Sequence, residues 1–141
     1  MTSPGIIEYR DIPEPGQISE RDVLLRIKKI GICGSDVHVY KGHHPATQYP
    51  VVQGHEFSAI VEAVGAKVIK IRPGMRVTAR PQIVCGECNP CKRGQYNVCQ
   101  NLKVQGFQAP GVAQELFVTH EDRVVPSRTG KLDQGAGHVP K

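Results

Sequence analysis

Apolar and polar residues alternate along Asp22-Val-Leu-Leu-Arg-Ile-Lys-Lys-Ile30, with Val23, Leu25 and Ile27 on one face and Leu24 on the other among charged residues. A period of two predicts a half-buried β-strand. Residues 1–20 are rich in Pro and Gly and read as an extended lead-in with a turn at Pro13-Glu-Pro15-Gly16. After the strand comes Gly31-Ile-Cys33-Gly-Ser35-Asp36-Val-His38-Val-Tyr40. Ser35 and Asp36 are residue types that cap helix N-termini, so a short helix is predicted to start there, with Cys33 at the strand end before it. Residues 41–50 form a polar loop in which His43 and His44 read as exposed. Gly54 allows a bend, and His55-Glu56 heads a second strand-like run through Val64. Residues 68–71, 76–79 and 116–118 read as further short strands, with turns at Pro73-Gly74 and Pro110-Gly111. Many short strands with one or two short helices predict a mainly β chain that curls into a closed or nearly closed barrel.

Composition agrees with that picture. At 141 residues the chain has room for one domain. Fifteen Gly and eleven Pro favour turns and short strands over long helices. The net charge of +5 raises nucleic acid as a partner. The Lys and Arg are scattered, however, with no run beyond Lys28-Lys29 or Lys92-Arg93, and four Tyr and three Phe form no stacking stripe. The charge therefore reads as a solvated surface, with no nucleic-acid partner. No apolar signal core or membrane span is present in the sequence, so the expectation is a cytoplasmic protein with no membrane partner.

Chemistry concentrates first in Cys85-x2-Cys88-x2-Cys91-x7-Cys99, which holds four of the five cysteines. Such spacing lets four thiolates converge on one tetrahedral zinc at about 2.3 Å. A pair of disulfides is the weaker reading, given a reducing compartment and an odd cysteine count. With all four positions filled by protein, such a zinc holds a lobe together but cannot activate a substrate. Elsewhere the signals are thinner. Cys33 precedes a helix N-terminus, which favours a thiolate, yet a lone cysteine is more often an apolar filler. His38 lies in the same turn and, alone, reads as a surface residue. His55-Glu56 is either a ligand pair or a structural ion pair.

Taken together, Gly31-Ile-Cys-Gly-Ser-Asp-Val-His38, Gly54-His-Glu56, Pro73-Gly-x-Arg-Val77 and the four-cysteine run resemble the catalytic domain of the zinc-dependent medium-chain alcohol and polyol dehydrogenases, in the style of the sorbitol and butanediol dehydrogenases. The resemblance spans roughly residues 4 to 126. It implies a GroES-like, partly open barrel with short helices and a four-cysteine zinc lobe at about residues 84–100. It also implies two zinc sites. By matching position, Cys33 and His55 ligate the catalytic zinc, and Glu56 ligates it directly in some states or supports it from close by. Cys85, Cys88, Cys91 and Cys99 hold the structural zinc. Ser35 hydrogen-bonds the substrate hydroxyl and His38 passes the proton to solvent. The chemistry suits these types: a cation lowers a bound hydroxyl's pKa, a hydroxyl both donates and accepts, and an imidazole exchanges protons near neutral pH. A small alcohol or polyol substrate, NAD(H) or NADP(H) as hydride acceptor in the full-length enzyme, and a homo-oligomeric assembly follow from the same resemblance. Two readings outside catalysis compete with it: a zinc-binding interaction module and a barrel used structurally. Neither requires the set Cys33, Ser35, His38, His55 and Glu56.

Three departures qualify the match. Ala59 stands where the family signature carries Gly five residues beyond Gly54, and little effect is expected. Leu132-Asp-Gln-Gly-Ala136 resembles the segment leading to an Ala-x-x-Glu-Pro whose Glu assists the catalytic zinc. Val139 stands at that position and cannot bind metal; His138, beside it, is a substitute only with a changed backbone path. The tail at about residues 127–141 is therefore atypical. Finally, no strand–Gly-x-Gly-x-x-Gly–helix unit occurs, since Gly135-Ala-Gly137 lacks the remainder of that pattern, so a Rossmann domain is absent and residues 1–141 read as a fragment that does not turn over substrate alone. Titration of the chain with NAD(H), followed calorimetrically, is accordingly expected to show no specific binding; saturable micromolar binding would overturn that expectation.

Overall fold

The computed structural model describes residues 1–127; residues 128–141, with His138 and Val139, lie outside the described residues. The alternation over residues 22–30 folds as β1 (Asp22–Gly31). It is followed by α1 (Gly34–Tyr40), β2 (Glu56–Val64) and β3 (Arg76–Ala79). Next come the two-residue β4 (Gln82–Ile83), the short helix α2 (Asn89–Lys92) and β5 (Lys103–Val104). β6 (Leu116–His120) and β7 (Val124–Pro126) complete the elements of the described residues, joined by a 3-10 turn at Glu121–Arg123. Five strands form one antiparallel sheet in the order β6-β1-β2-β3-β7, and β4 pairs with β5 apart from it.

Burial explains why the alternation folds this way. Val23 and Leu25 are fully buried and pack with Phe57, Ala59, Val61, Val77 and Phe117, contributed by three neighbouring strands. Each of the Val, Leu and Phe side chains contributes about 1.5–3 kcal/mol by leaving water. Ala59 pairs with Ile27 on one side and Val77 on the other, and is buried in this core. No non-glycine residue of the described chain has a positive φ, so the backbone at Ala59 does not demand glycine.

The sheet is strongly curled without closing. β6 and β7 are its opposite edges, yet only Glu121–Arg123 separate them along the chain. A chain spans at most about 3.6 Å per residue, which holds the two edges near one another. No ladder joins them among the described residues, so the barrel is open at this seam and the closed form is excluded.

Local expectations are corrected at four places. Residues 68–71 form no strand. Val68 closes a turn on Gly65, and Ile71 inserts into the core without a ladder partner, so its apolar signal reports burial alone. In the lead-in, residues 13–16 make no turn; the turn lies at Pro4–Gly5, inside a bridge between Ser3 and Ile6. Cys33, and neither Ser35 nor Asp36, takes the N-cap position of α1. His44 is half-buried, stacked on Phe107, while His43 is exposed. No helix among the described residues is long and apolar enough to cross a membrane.

Residues 111–113 position the head of β2. The Gly111 amide donates to Val52 O, Val112 to Gly54 O and Ala113 to Gln53 O, at 2.7, 3.0 and 2.9 Å. Gly54 turns there with φ +92. A Cβ on Gly111 would sit 2.3 Å from Gln53 O and 2.4 Å from Gly54 O. Gly111→Ala is therefore expected to cost about 1–3 kcal/mol of urea stability. Gly16→Ala meets nothing within 4 Å and is expected to stay within about 0.5 kcal/mol. Equal stability of the two variants would refute the close docking of residues 111–113.

Candidate metal centres

The four-cysteine lobe stands on the neck formed by β4 and β5, where Gln82 pairs with Val104 and Ile83 with Lys103. Cys88 takes the N-cap position of α2 with Pro90 in its first turn, which suits proline's fixed φ and missing N–H. A 3-10 turn at Tyr96–Val98 then returns Cys99 to the group. The Cys99 sulfur lies 3.6 Å from that of Cys85 and 4.0 Å from that of Cys88. Ligand atoms of all four lie within 4.8 Å of one another, and all five cysteines are free thiols. A tetrahedron with zinc–sulfur bonds of 2.3 Å has edges of about 3.8 Å, so the observed spacings fit the ion and exclude a disulfide of about 2.05 Å. Backbone amides of Glu87 and Cys88 draw the Cys85 thiol down to about 6. Burial, and then the neighbouring Cys88, push Cys91 up to about 12. Such a cluster ionises fully only when a cation is added.

The second group forms where β1 ends and β2 begins. Gly31 pairs with Glu56 across the ladder, so Cys33, two residues past Gly31, comes beside His55 and Glu56. One ligand atom from each of Cys33, His55 and Glu56 lies within 4.8 Å of the others. A thiol, an imidazole and a carboxylate are a donor set that zinc accepts while leaving a coordination position open.

Hydrogen bonding prepares these donors. The Ser35 hydroxyl donates to Cys33 Sγ at 3.1 Å. This contact first, then the Ser35 amide and His55, lowers the Cys33 pKa. Asp36 serves both ligand segments. Its Oδ2 accepts the Cys33 amide at 2.9 Å, closing one half of a capping box. Its Oδ1 faces His55 Nδ1 at 3.5 Å, too long for a full hydrogen bond but within ion-pair range, and neither atom has a hydrogen-bond partner. Burial works to raise the Asp36 pKa, but His55 and the Cys33 amide outweigh it and the net shift is downward. With Nδ1 turned to Asp36, the remaining ring nitrogen of His55 is the one available to a metal.

Sequence reasoning named Cys33, Ser35, His38, His55, Glu56 and the four lobe cysteines. Cys33, Ser35, His55 and Glu56 gather in one place. His38 lies one turn beyond Ser35 on α1 and is exposed; its ring is 6.4 Å from that of His43, and no hydrogen bond joins it to Ser35 among the described residues. Asp36 was read only as a cap. Its spacing of three from Cys33 was a capping-box signal, but no local pattern points from Asp36 to His55. Gln53, whose side chain donates to Asp36 O at 3.1 Å, and Phe107, whose ring centroid lies 5.0 Å from that of His55, gave no local signal either.

In the metal-free chain Asp36 holds the His55 pKa up to about 9 from an ordinary 6.5, against the opposing effect of burial. A raised pKa stabilises the fold fully below 6.5, and that stabilisation is lost as pH rises through about 9. Asp36→Asn is expected to bring the His55 titration, followed by NMR in the chelator-treated chain, down towards 6.5 and to flatten stability over that window. A titration that stays near 9 would assign the shift to another group.

Comparison with known proteins agrees with this geometry. Residues 19–129 match the family described as Alcohol dehydrogenase GroES-like domain. The chain is 46% identical over 114 residues to the starvation-sensing protein RspB of Escherichia coli K12, covering 81% of this chain and 32% of that protein. Among solved structures, galactitol-1-phosphate dehydrogenase from Escherichia coli superposes with a TM-score of 0.83 at 30% identity, covering 92% of this chain and 37% of that one. A zinc-binding dehydrogenase from Sinorhizobium meliloti 1021 bound to NADP gives 0.79 at 35% identity, with coverage of 88% and 36%. The chain spans about a third of the length of the curated relatives it matches. An open, curled antiparallel sheet, a four-cysteine lobe and a Cys-His-Glu group at the β1–β2 seam thus come with a match over most of the sequence, and the chain belongs to the alcohol dehydrogenase GroES-like domain family.

Proposed function

We propose that this chain is the metal-binding, substrate-holding part of a zinc-dependent alcohol or polyol dehydrogenase that works with NAD(H) or NADP(H). The observation that carries the reading is the convergence of Cys33, His55 and Glu56 within 4.8 Å, separate from the four-cysteine group. In this reading Cys33, His55 and Glu56 hold the catalytic zinc, and Cys85, Cys88, Cys91 and Cys99 hold a structural one. Zinc bound at the first group supplies positive charge that lowers the pKa of a substrate hydroxyl. The chain's own residues do the remainder. Asp36 holds the His55 ring from behind. Ser35 stands 3.1 Å from the Cys33 sulfur, placed to hydrogen-bond a substrate hydroxyl beside the metal and to receive its proton. His38, exposed one turn along α1, hands that proton to solvent. No residue of this chain is assigned to the nicotinamide partner.

The proposal extends to a single domain over residues 1–141, with the lobe as an excursion at about 84–100. It also includes a small alcohol or polyol substrate, a homo-oligomeric assembly and a cytoplasmic setting that keeps the thiols reduced. The similarity to a galactitol-1-phosphate dehydrogenase supports the substrate class, and that to an NADP-bound dehydrogenase supports the cofactor class.

Metal analysis of the purified chain is expected to give about two zinc per chain, falling to about one in Cys33→Ala and, at the lobe, in Cys88→Ala. A single zinc, lost in Cys88→Ala and kept in Cys33→Ala, would favour a non-catalytic zinc-binding interaction module instead.

A further inference from the structure

We infer that Phe107 is a positioning residue for the metal ligand His55, and that His44 braces it from the loop of residues 41–50. This rests on the reading of Cys33, His55 and Glu56 as a metal site. The rings of His44, Phe107 and His55 form a continuous series. His44 stacks on Phe107 with centroids 4.4 Å apart and planes 16° from parallel. Phe107 meets His55 at 5.0 Å with a tilt of 50°. An imidazole has two side-chain rotations to fix before its outer nitrogen points at an ion. Asp36 restrains one edge of the His55 ring, at Nδ1. A ring packed against the imidazole restrains rotation about the remaining axis, which a contact at one atom cannot do.

Phe107 is itself held firmly. It is buried in a small core with Val39 and Val51. Its amide donates to Val104 O at 3.2 Å. The preceding Gly106 packs so closely on Gly54 that a Cβ there would lie 3.1 Å from the Gly54 amide nitrogen. The segment bearing Phe107 is thus docked on the residue just before His55. On the far side, the Thr47 hydroxyl bonds His44 Nδ1 at 2.8 Å, fixing the brace. Loop 41–50 is thereby connected to the metal ligand through two aromatic contacts, without contributing a ligand.

The test is cobalt(II) loading of the full chain, with absorption reporting the ligand field and a competing chelator reporting affinity. Phe107→Leu keeps most of the volume and removes the ring. It is expected to weaken the Cys33-dependent cobalt site about tenfold and to alter its ligand-field bands, leaving the lobe's cobalt unchanged. His44→Ala is expected to produce a smaller loss at the same site, and His44→Phe to restore it. If wild type binds cobalt at both sites and Phe107→Leu shows unchanged affinity and bands, the inference is wrong. If Phe107→Leu loses both metals by unfolding, the half-buried His44→Ala decides: weakening confined to the Cys33 site supports the brace, and no change overturns it. Cobalt held only in the lobe of the wild type would overturn the metal reading, and this inference with it.

Discussion

The Asp36 carboxylate is buried and shared between two parts of the chain, one oxygen accepting the Cys33 amide and the other facing the His55 imidazole. A buried carboxylate without compensation costs several kcal/mol, so its two neighbours are conditions of its being there as an anion. Meeting them brings the start of α1 against the start of β2. Cys33 and His55 are 22 positions apart, yet one carboxylate spans the junction. Glu56 stands beside the same junction, with one donor atom each from Cys33, His55 and Glu56 within 4.8 Å of one another.

The two donor groups depend on the fold in different ways. The lobe is local: its four sulfurs lie within one short run, on a two-stranded neck, and its own turns bring them together. The Cys33 group needs the sheet. Gly31 must oppose Glu56, and the register of β1 on β2 shifts twice, between Leu24 and Leu25 and between Ile27 and Lys29, before it reaches that pair. A slip of one residue would turn Glu56 to the opposite face. Residues 111–113 add three backbone bonds to the segment before His55, where the chain bends at Gly54. Precision at this group is therefore a property of the whole sheet, whereas the lobe carries its own.

Much of this was legible from one sequence because the signals were local. Period-two alternation marked β1, the apolar run after Gly54-His-Glu56 marked β2, and cysteine spacing marked the lobe. What was not legible depended on contacts between distant positions. The turn expected at residues 13–16 was absent because Pro sets φ without supplying a partner. Residues 68–71 read as a short strand, but Ile71 reaches the core from an irregular segment. His44 looked like a loop histidine until Phe107, 63 positions later, came to lie against it. Asp36 was visible as a helix-start residue, and its spacing from Cys33 fits a capping box; its second role needed His55 beside it. The roles proposed for Ser35 and His38 come from the family resemblance; residue type and spacing alone leave them open.

X-ray absorption at the zinc edge, comparing the loaded chain with its Cys33→Ala variant, tests the central claim most directly, because it reads ligand type and not merely metal content. The account predicts an all-sulfur shell at about 2.3 Å for the variant, and for wild type the same shell plus an imidazole contribution at about 2.0–2.1 Å. An all-sulfur shell in both would contradict it.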